Sequence, residues 1–144
     1  MIGNMGKSAR FGIARKIEMP QSLPKPDFAR AALLIVDVQK GFLNDATKHV
    51  VSGIESIEAY YEVVHATQFI NAENSSWRRF LKWSRFSRES EDVDFAFDLL
   101  PHVQRVKKTT YTCISDEYLK SLSLAGVDQV HIAGIDTDIC VTKC

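Results

Sequence analysis

The sequence predicts an α/β domain in three layers, a mostly parallel sheet with helices on both faces. Three observations carry that prediction. Strand-like and helix-like segments alternate four times between residues 31 and 135. The first strand-like run is apolar throughout, as suits a strand covered on both sides. No internal repeat or low-complexity tract offers a competing architecture, and right-handed crossovers would close such an alternation into a parallel sheet.

Residues 1–26 hold Lys7, Arg10, Arg15, Lys16 and Lys25 against Glu18 alone, with Gly3, Gly6, Gly12, Pro20, Pro24 and Pro26 interrupting any apolar period. They read as a mobile basic leader before a domain at 27–144. From Ala31 the run Ala-Ala-Leu-Leu-Ile-Val closes on Asp37 and forms the first strand. Residues 50–62 place Val51, Ile54, Ile57, Ala59 and Tyr61 near helical spacing, with Glu55, Glu58 and Glu62 between them. Residues 63–69 form the second strand. Asn74-Ser75 supplies an N-cap for a helix over 76–86, and a further helix over 90–100 is stopped by Pro101. The third strand covers 103–112. A helix over 116–125 ends at Gly126, which suits a left-handed cap, and the fourth strand runs over 127–135 through Gly134. The chain stops four residues after Cys140, short of the dozen or so that a parallel crossover needs. The expectation is therefore a domain truncated at its C-terminus.

Composition removes several classes of function. Lys and Arg number 18 against 18 Asp and Glu, so the chain lacks the cationic excess through which nucleic-acid binders displace counterions. No stretch approaches the roughly 18 apolar residues of a membrane span, and no apolar core precedes a cleavage site near the N-terminus. A cytoplasmic protein without a membrane or nucleic-acid partner is expected. Three cysteines, Cys113, Cys140 and Cys144, are too few for a secreted disulfide framework, so reduced thiols are expected.

In parallel sheets ligands sit beyond the carboxyl ends of the strands, which draws attention to Asp37, Lys108 and Cys140. Asp37 closes an apolar strand, where a carboxylate is costly unless it faces a cleft or a partner; the plainer reading is a turn residue. Thr137 or Asp138 would cap a new helix with Cys140 in its first turn. There, backbone N–H groups favour thiolate, lowering a pKa of about 8.5 to as little as ~3.5 in strong cases, and the same groups would serve as an oxyanion hole. The plainer reading is a buried, inert thiol. Lys107 and Lys108 are adjacent, so one points away from the other; Lys108 either pairs with Asp37 or is a solvated strand-edge residue. Cys140 and Cys144 share a helix face, but C-x-x-x-C alone is weak evidence for a metal or redox pair. Cys113 reads as a packing residue, and His131 within the fourth strand as a packed one; His49, His65, His102 and His131 lack ligand spacing. Trp77, Phe80, Trp83 and Phe86 alternate with Arg78, Arg79, Lys82, Arg85 and Arg88. The spacing suits a core or interface helix more than a stacking surface for single-stranded nucleic acid.

Asp37 in Leu-Leu-Ile-Val-Asp-Val-Gln-Lys-Gly-Phe, Lys108 in Lys-Thr-Thr-Tyr-Thr and Cys140 in Gly-Ile-Asp-Thr-Asp-Ile-Cys-Val together resemble the isochorismatase-like cysteine hydrolases, the superfamily that includes nicotinamidases and N-carbamoylsarcosine amidases. The resemblance covers residues 30–144, with Asn71, Asn74-Ser75 and Trp83 adding a weaker subgroup signal. It implies Cys140 as nucleophile, Asp37 as proton acceptor and donor, Lys108 as charge partner, and Phe42 as an aromatic lining the substrate pocket. It also implies a non-prolyl cis peptide at Ile135-Asp136 and an oxyanion turn that includes Ile139. Metal-dependent nicotinamidases place an Asp-x-His set after the second strand, whereas this chain has Gln68-Phe-Ile-Asn-Ala-Glu, so neither metal nor other cofactor is implied. The implied substrate is a small amide-type molecule and the implied assembly a homo-oligomer. Two readings stay open: a metal-free cysteine amidase, and a non-catalytic truncated remnant or interaction module of the same fold.

Overall fold

A computed structural model describes residues 28–144; the leader expected over 1–26 lies outside the described residues, as does Asp27. The elements are β1 (Ala31–Val36), α1 (His49–Ile57), β2 (Val63–Phe69), α2 (Ser76–Leu81), β3 (Gln104–Lys108), α3 (Asp116–Leu124) and β4 (Gln129–Gly134), with short 3-10 turns between them. The strands form one sheet in the order β3-β2-β1-β4, and every described pairing is parallel.

All six residues of β1 are buried, because the strand is central and its two faces meet different helices. Ala31, Leu33 and Ile35 join Ile54 of α1, Tyr61 and Phe97 in one cluster. Ala32, Leu34 and Val36 join Tyr118 and Leu122 of α3 in the other. This is the three-layer arrangement that the uninterrupted apolar run foretold, and each fully buried Leu or Ile contributes about 1.5–3 kcal/mol. The outer strands are more open: Gln104, Arg105 and Lys107 of β3 are exposed, as are Val130 and Ile132 of β4. No helix of the described residues is long and apolar enough to cross a membrane.

Four expected elements end differently. The helix expected over 76–86 stops at Leu81, because Lys82 takes a left-handed conformation and its N–H returns to the Trp77 carbonyl. The chain then folds back, and Trp77, Trp83 and Phe86 meet Phe69 and Val93 in a third cluster, while Phe80 stays exposed. The helix expected over 90–100 is only a 3-10 turn, Glu91–Val93, begun by the Ser90 hydroxyl accepting from the Asp92 N–H. It goes no further because the next stretch pairs with β1's extension: Ala96 N–H donates to the Val38 carbonyl at 3.0 Å, and Lys40 N–H to the Asp94 carbonyl at 2.8 Å. The third strand ends at Lys108, four residues early, where the Lys108 side chain turns to the Tyr111 carbonyl at 2.7 Å. Finally, the helix expected to follow Asp138 is a 3-10 turn, Val141–Lys143, with Cys140 at its start.

Two residues of the sheet generate predictions. Gly134 has φ +145°, and a Cβ there would lie 2.1 Å from the Val36 carbonyl oxygen. Gly134→Ala must push β4 off β1, and the urea midpoint should show a loss of about 3–5 kcal/mol; an unchanged midpoint would refute the close approach. His65 is buried on β2, with Nδ1 2.9 Å from the Tyr118 hydroxyl, and burial holds its pKa below 6.5. The unfolded chain therefore binds this proton more readily than the folded one. His65 contributes stability that is full above pH 6.5 and is lost as pH falls through the lower folded value. Urea midpoints at about pH 7.5 and about pH 5.5 should differ more for the native sequence than for His65→Gln.

Candidate active site

The carboxyl ends of β1, β3 and β4 converge on one buried group, Asp37. Its backbone adopts φ 52°, a left-handed conformation that Asp tolerates better than most side chains at a cost of roughly 1–2 kcal/mol. Thr67 of β2 holds it in that state from both sides. The Thr67 hydroxyl accepts from the Asp37 N–H at 2.9 Å and donates to Asp37 Oδ1 at 2.6 Å. Lys108 Nζ lies 2.7 Å from Asp37 Oδ2, and the two side chains are 2% and 0% exposed. Because β2 separates β3 from β1, the lysine stem must cross a whole strand to reach this carboxylate. The pairing of adjacent lysines is thus resolved: Lys108 points inward and Lys107 outward.

Cys140 arrives from β4. After Gly134 the Ile135 N–H donates to the Val36 carbonyl at 2.8 Å, the Ile135 side chain is buried in the α1-side cluster, and the Ile135-Asp136 peptide is cis. The Asp136 carbonyl then accepts from both Ile139 and Val141, at 3.2 and 3.0 Å. The Ile139 N–H is therefore already engaged, and the Cys140 N–H between them is the one that does not join this pattern. The Cys140 thiol and the Asp37 carboxylate are close enough for each to shift the other's hold on its proton. Oδ2 of Asp37 accepts no well-aligned hydrogen bond from protein groups despite its close ion pair, which leaves a lone pair for a mobile proton.

Electrostatics here run against the expected thiolate. The Cys140 pKa is pushed up to about 12, first by burial and then by the Asp37 charge, with Lys108 opposing them. Asp37 itself is raised above the ordinary carboxylate range by burial, against the pull of Lys108, Thr67 and Cys140. Burial and the Asp37 charge together favour the neutral thiol at Cys140.

Phe42 does not line the large cleft beside Lys108. It stacks on Phe86 with ring centroids 4.0 Å apart, within the third cluster. That cleft, about 1210 Å³, is bounded by residues 70–74, 87–89, 107–110 and 112–115 together with Arg78. Asn71, at its base, is held in the fold: its Nδ2 donates to the Trp83 and Arg85 carbonyls and its Oδ1 accepts from Ser75. It is thereby engaged where a metal ligand would be needed, and among the described residues no three His, Cys, Asp or Glu side chains form a group that could hold a metal ion. Cys113 shares the α3-side cluster with Cys140 and Cys144, and burial together with nearby Cys144 pushes its thiol pKa up to about 12. His131 is packed, with Nδ1 2.7 Å from the Tyr61 hydroxyl.

Two residues central to this geometry were not singled out from sequence. Thr67 sits in a strand of otherwise ordinary composition, and its role appears only through the register that sets β2 beside β1. Gln39 is fully buried; its Nε2 donates to the Phe69 and Val93 carbonyls and its Oε1 accepts from the Phe69 N–H. The only signal was its place two residues after Asp37, at a strand end where unpaired backbone groups need partners.

The fold matches that of known proteins. The cysteine hydrolase of Pseudomonas syringae superposes with a TM-score of 0.72 at 19% identity, covering 88% of this chain and 68% of that one. The pyrazinamidase of Pyrococcus horikoshii, solved in complex with zinc, gives 0.67 at 22% identity, over 79% and 75% of the two chains. The N-carbamoylsarcosine amidase of Thermoplasma acidophilum gives 0.66 at 18% identity, over 78% and 70%. At these identities the likeness is one of fold. No curated protein matches the sequence. The model of the Isochorismatase domain, however, matches residues 31–144, the same stretch that builds the sheet and carries Asp37, Lys108 and Cys140, and the chain therefore belongs to the isochorismatase family of hydrolases.

Proposed function

We propose that this hydrolase cleaves a carbon–nitrogen bond of a small amide-type molecule by metal-free cysteine catalysis. The observation that carries this reading is the meeting of Asp37, Lys108 and Cys140 at the ends of three separate strands. A buried ion pair is costly to assemble, and a thiol beside its carboxylate gives that pair a chemical use. The fold likeness to an N-carbamoylsarcosine amidase and a pyrazinamidase supports the substrate class.

With the thiol held near pKa 12, the nucleophile is made as it is needed. The Cys140 proton passes to Asp37 while sulfur attacks the carbonyl carbon. The Cys140 N–H meets the oxyanion that develops. Asp37 returns its proton to the nitrogen, the C–N bond breaks, and ammonia or an amine departs to leave a thioester. Water then attacks the thioester carbonyl, giving a proton to Asp37 that passes to the departing sulfur, and a carboxylic acid is released. Lys108 works against the rise in the Asp37 pKa that burial causes. No nucleic acid or membrane enters this scheme.

Asp37→Asn separates this mechanism from one that uses a preformed thiolate. Asn accepts the left-handed backbone, and removing the carboxylate removes the second-largest cause of the high Cys140 pKa. Amide turnover, measured as ammonia or amine release from a panel of small amides, should fall about 100- to 10,000-fold. Iodoacetamide labelling of Cys140 at mildly alkaline pH, read by peptide mass spectrometry, should become faster, with Cys113 and Cys144 as internal controls. Cys140→Ala should abolish turnover while preserving the urea midpoint to within about 1 kcal/mol. Turnover that survives Cys140→Ala sinks the proposal.

A further inference from the structure

The large cleft beside Lys108 contains more positive charge than the chemistry at Asp37 uses. Its lining carries Arg78, Arg88, Lys107 and Lys108 against Glu73 and Glu89. Lys108 is neutralised by Asp37, so three cations face two carboxylates and one positive charge is left over. Of these three cations Arg78 alone has a buried side-chain donor without a partner. Its Nε is buried with no hydrogen-bond partner, and among the described residues it takes part in no ion pair. A buried guanidinium N–H without an acceptor is costly, unless a bound molecule supplies one.

The local fold fixes where this guanidinium sits. Ser75 caps α2, accepting from the Arg78 N–H at 3.2 Å, and its hydroxyl donates to Asn71 Oδ1. Asn71 in turn ties both to the end of β2 and to the returning segment at Trp83 and Arg85, while its N–H donates to the Phe86 carbonyl at 2.8 Å. The arginine is thus mounted on a pinned segment. The neighbouring Arg79 is exposed and lies over the Phe80 ring instead.

Resting on the amidase reading given above, we infer that the substrate carries a carboxylate remote from its scissile amide, and that Arg78 is the residue that selects it. A planar guanidinium matches a carboxylate edge to edge through paired N–H donors. The single uncompensated charge of the cleft matches a monoanion better than a phosphate dianion. The carboxylate would bind toward Arg78 while the amide carbonyl is presented at the Lys108 end, next to Asp37 and Cys140.

The test uses succinamate, an amide with one carboxylate, and succinamide, its uncharged counterpart, titrated calorimetrically into the 144-residue chain carrying Cys140→Ala, with inorganic phosphate as a third probe. Succinamate should bind at least tenfold more tightly than succinamide, with affinity falling as salt rises. Arg78→Gln should remove that preference, Arg78→Lys should retain part of it, and Arg79→Gln should leave it intact. Circular dichroism of each variant verifies the fold, and the Arg78 Nε–H resonance should shift on addition of succinamate. No binding of succinamate, equal binding of the two amides, phosphate binding as strong as succinamate, or a preference unchanged in Arg78→Gln would each overturn the inference. Turnover of the two amides by the unmodified chain is scored separately. Arg78-dependent binding without turnover refutes the amidase reading and leaves the anion site standing. Turnover of succinamide without preference for succinamate does the reverse.

Discussion

The contact on which the rest of the site depends is the ion pair between Asp37 and Lys108, 2.7 Å apart and all but sealed from solvent. Taking two charges out of water costs several kcal/mol per ion before any attraction is counted. That cost explains the surrounding architecture. Thr67 satisfies Oδ1 and the Asp37 amide, the Tyr111 carbonyl takes one ammonium proton, and the Cys140 thiol sits beside the carboxylate. Each neighbour is drawn from a different segment, so the pair acts as the node at which the sheet, the loop after β3 and the turn after β4 are fixed together. The same low-dielectric setting raises the affinity of Asp37 and Cys140 for protons. In the mechanism proposed above, such a site would hold its thiol in the neutral form until a proton is transferred at the moment of attack.

Around this node, polar side chains replace the backbone ladder where the strands run out. Gln39 does so at the end of β1, joining Phe69 to Val93. Asn71 does so after β2, joining α2 to the returning segment at Trp83 and Arg85. Both are fully satisfied amides in buried positions, the condition under which polar groups stiffen a structure instead of weakening it. The aromatic cluster of Phe69, Phe86, Trp77 and Trp83 fills the space between these two clamps. Gly41 is required beside it, since a Cβ there would meet the Phe86 ring at 2.5 Å.

Much of this was legible in the sequence where one kind of force dominates. The apolar run of β1 and the capped helix α3 follow from burial periodicity and local capping, and both were placed nearly to the residue. The spacing of Asp37, Lys108 and Cys140 pointed to the family before any coordinates. What sequence did not reveal was set by tertiary partners. The segment after Leu81 has aromatic residues at helical intervals, yet they are recruited by Phe69 and Val93, and a left-handed Lys82 turns the chain to bring them there. The segment at 94–96 gives up helix because the end of β1 offers it backbone partners. For Cys140 the sequence leaves open both a thiolate in the first turn of a helix and a buried, inert thiol. Its high pKa is a consequence of burial and of Asp37, neither of which a linear sequence displays.

The position of Lys108 has a dynamic consequence. It is the last residue of β3, an edge strand whose Gln104, Arg105 and Lys107 face solvent, and such strands are ordinarily the first to fray. Here fraying from that end would extract an ammonium from its buried carboxylate, and breaking such a pair costs about 3–5 kcal/mol. Protection against amide hydrogen exchange in β3 should therefore rise toward its end, against the usual gradient. The breathing of an outlying strand and the integrity of the reactive centre become one and the same equilibrium.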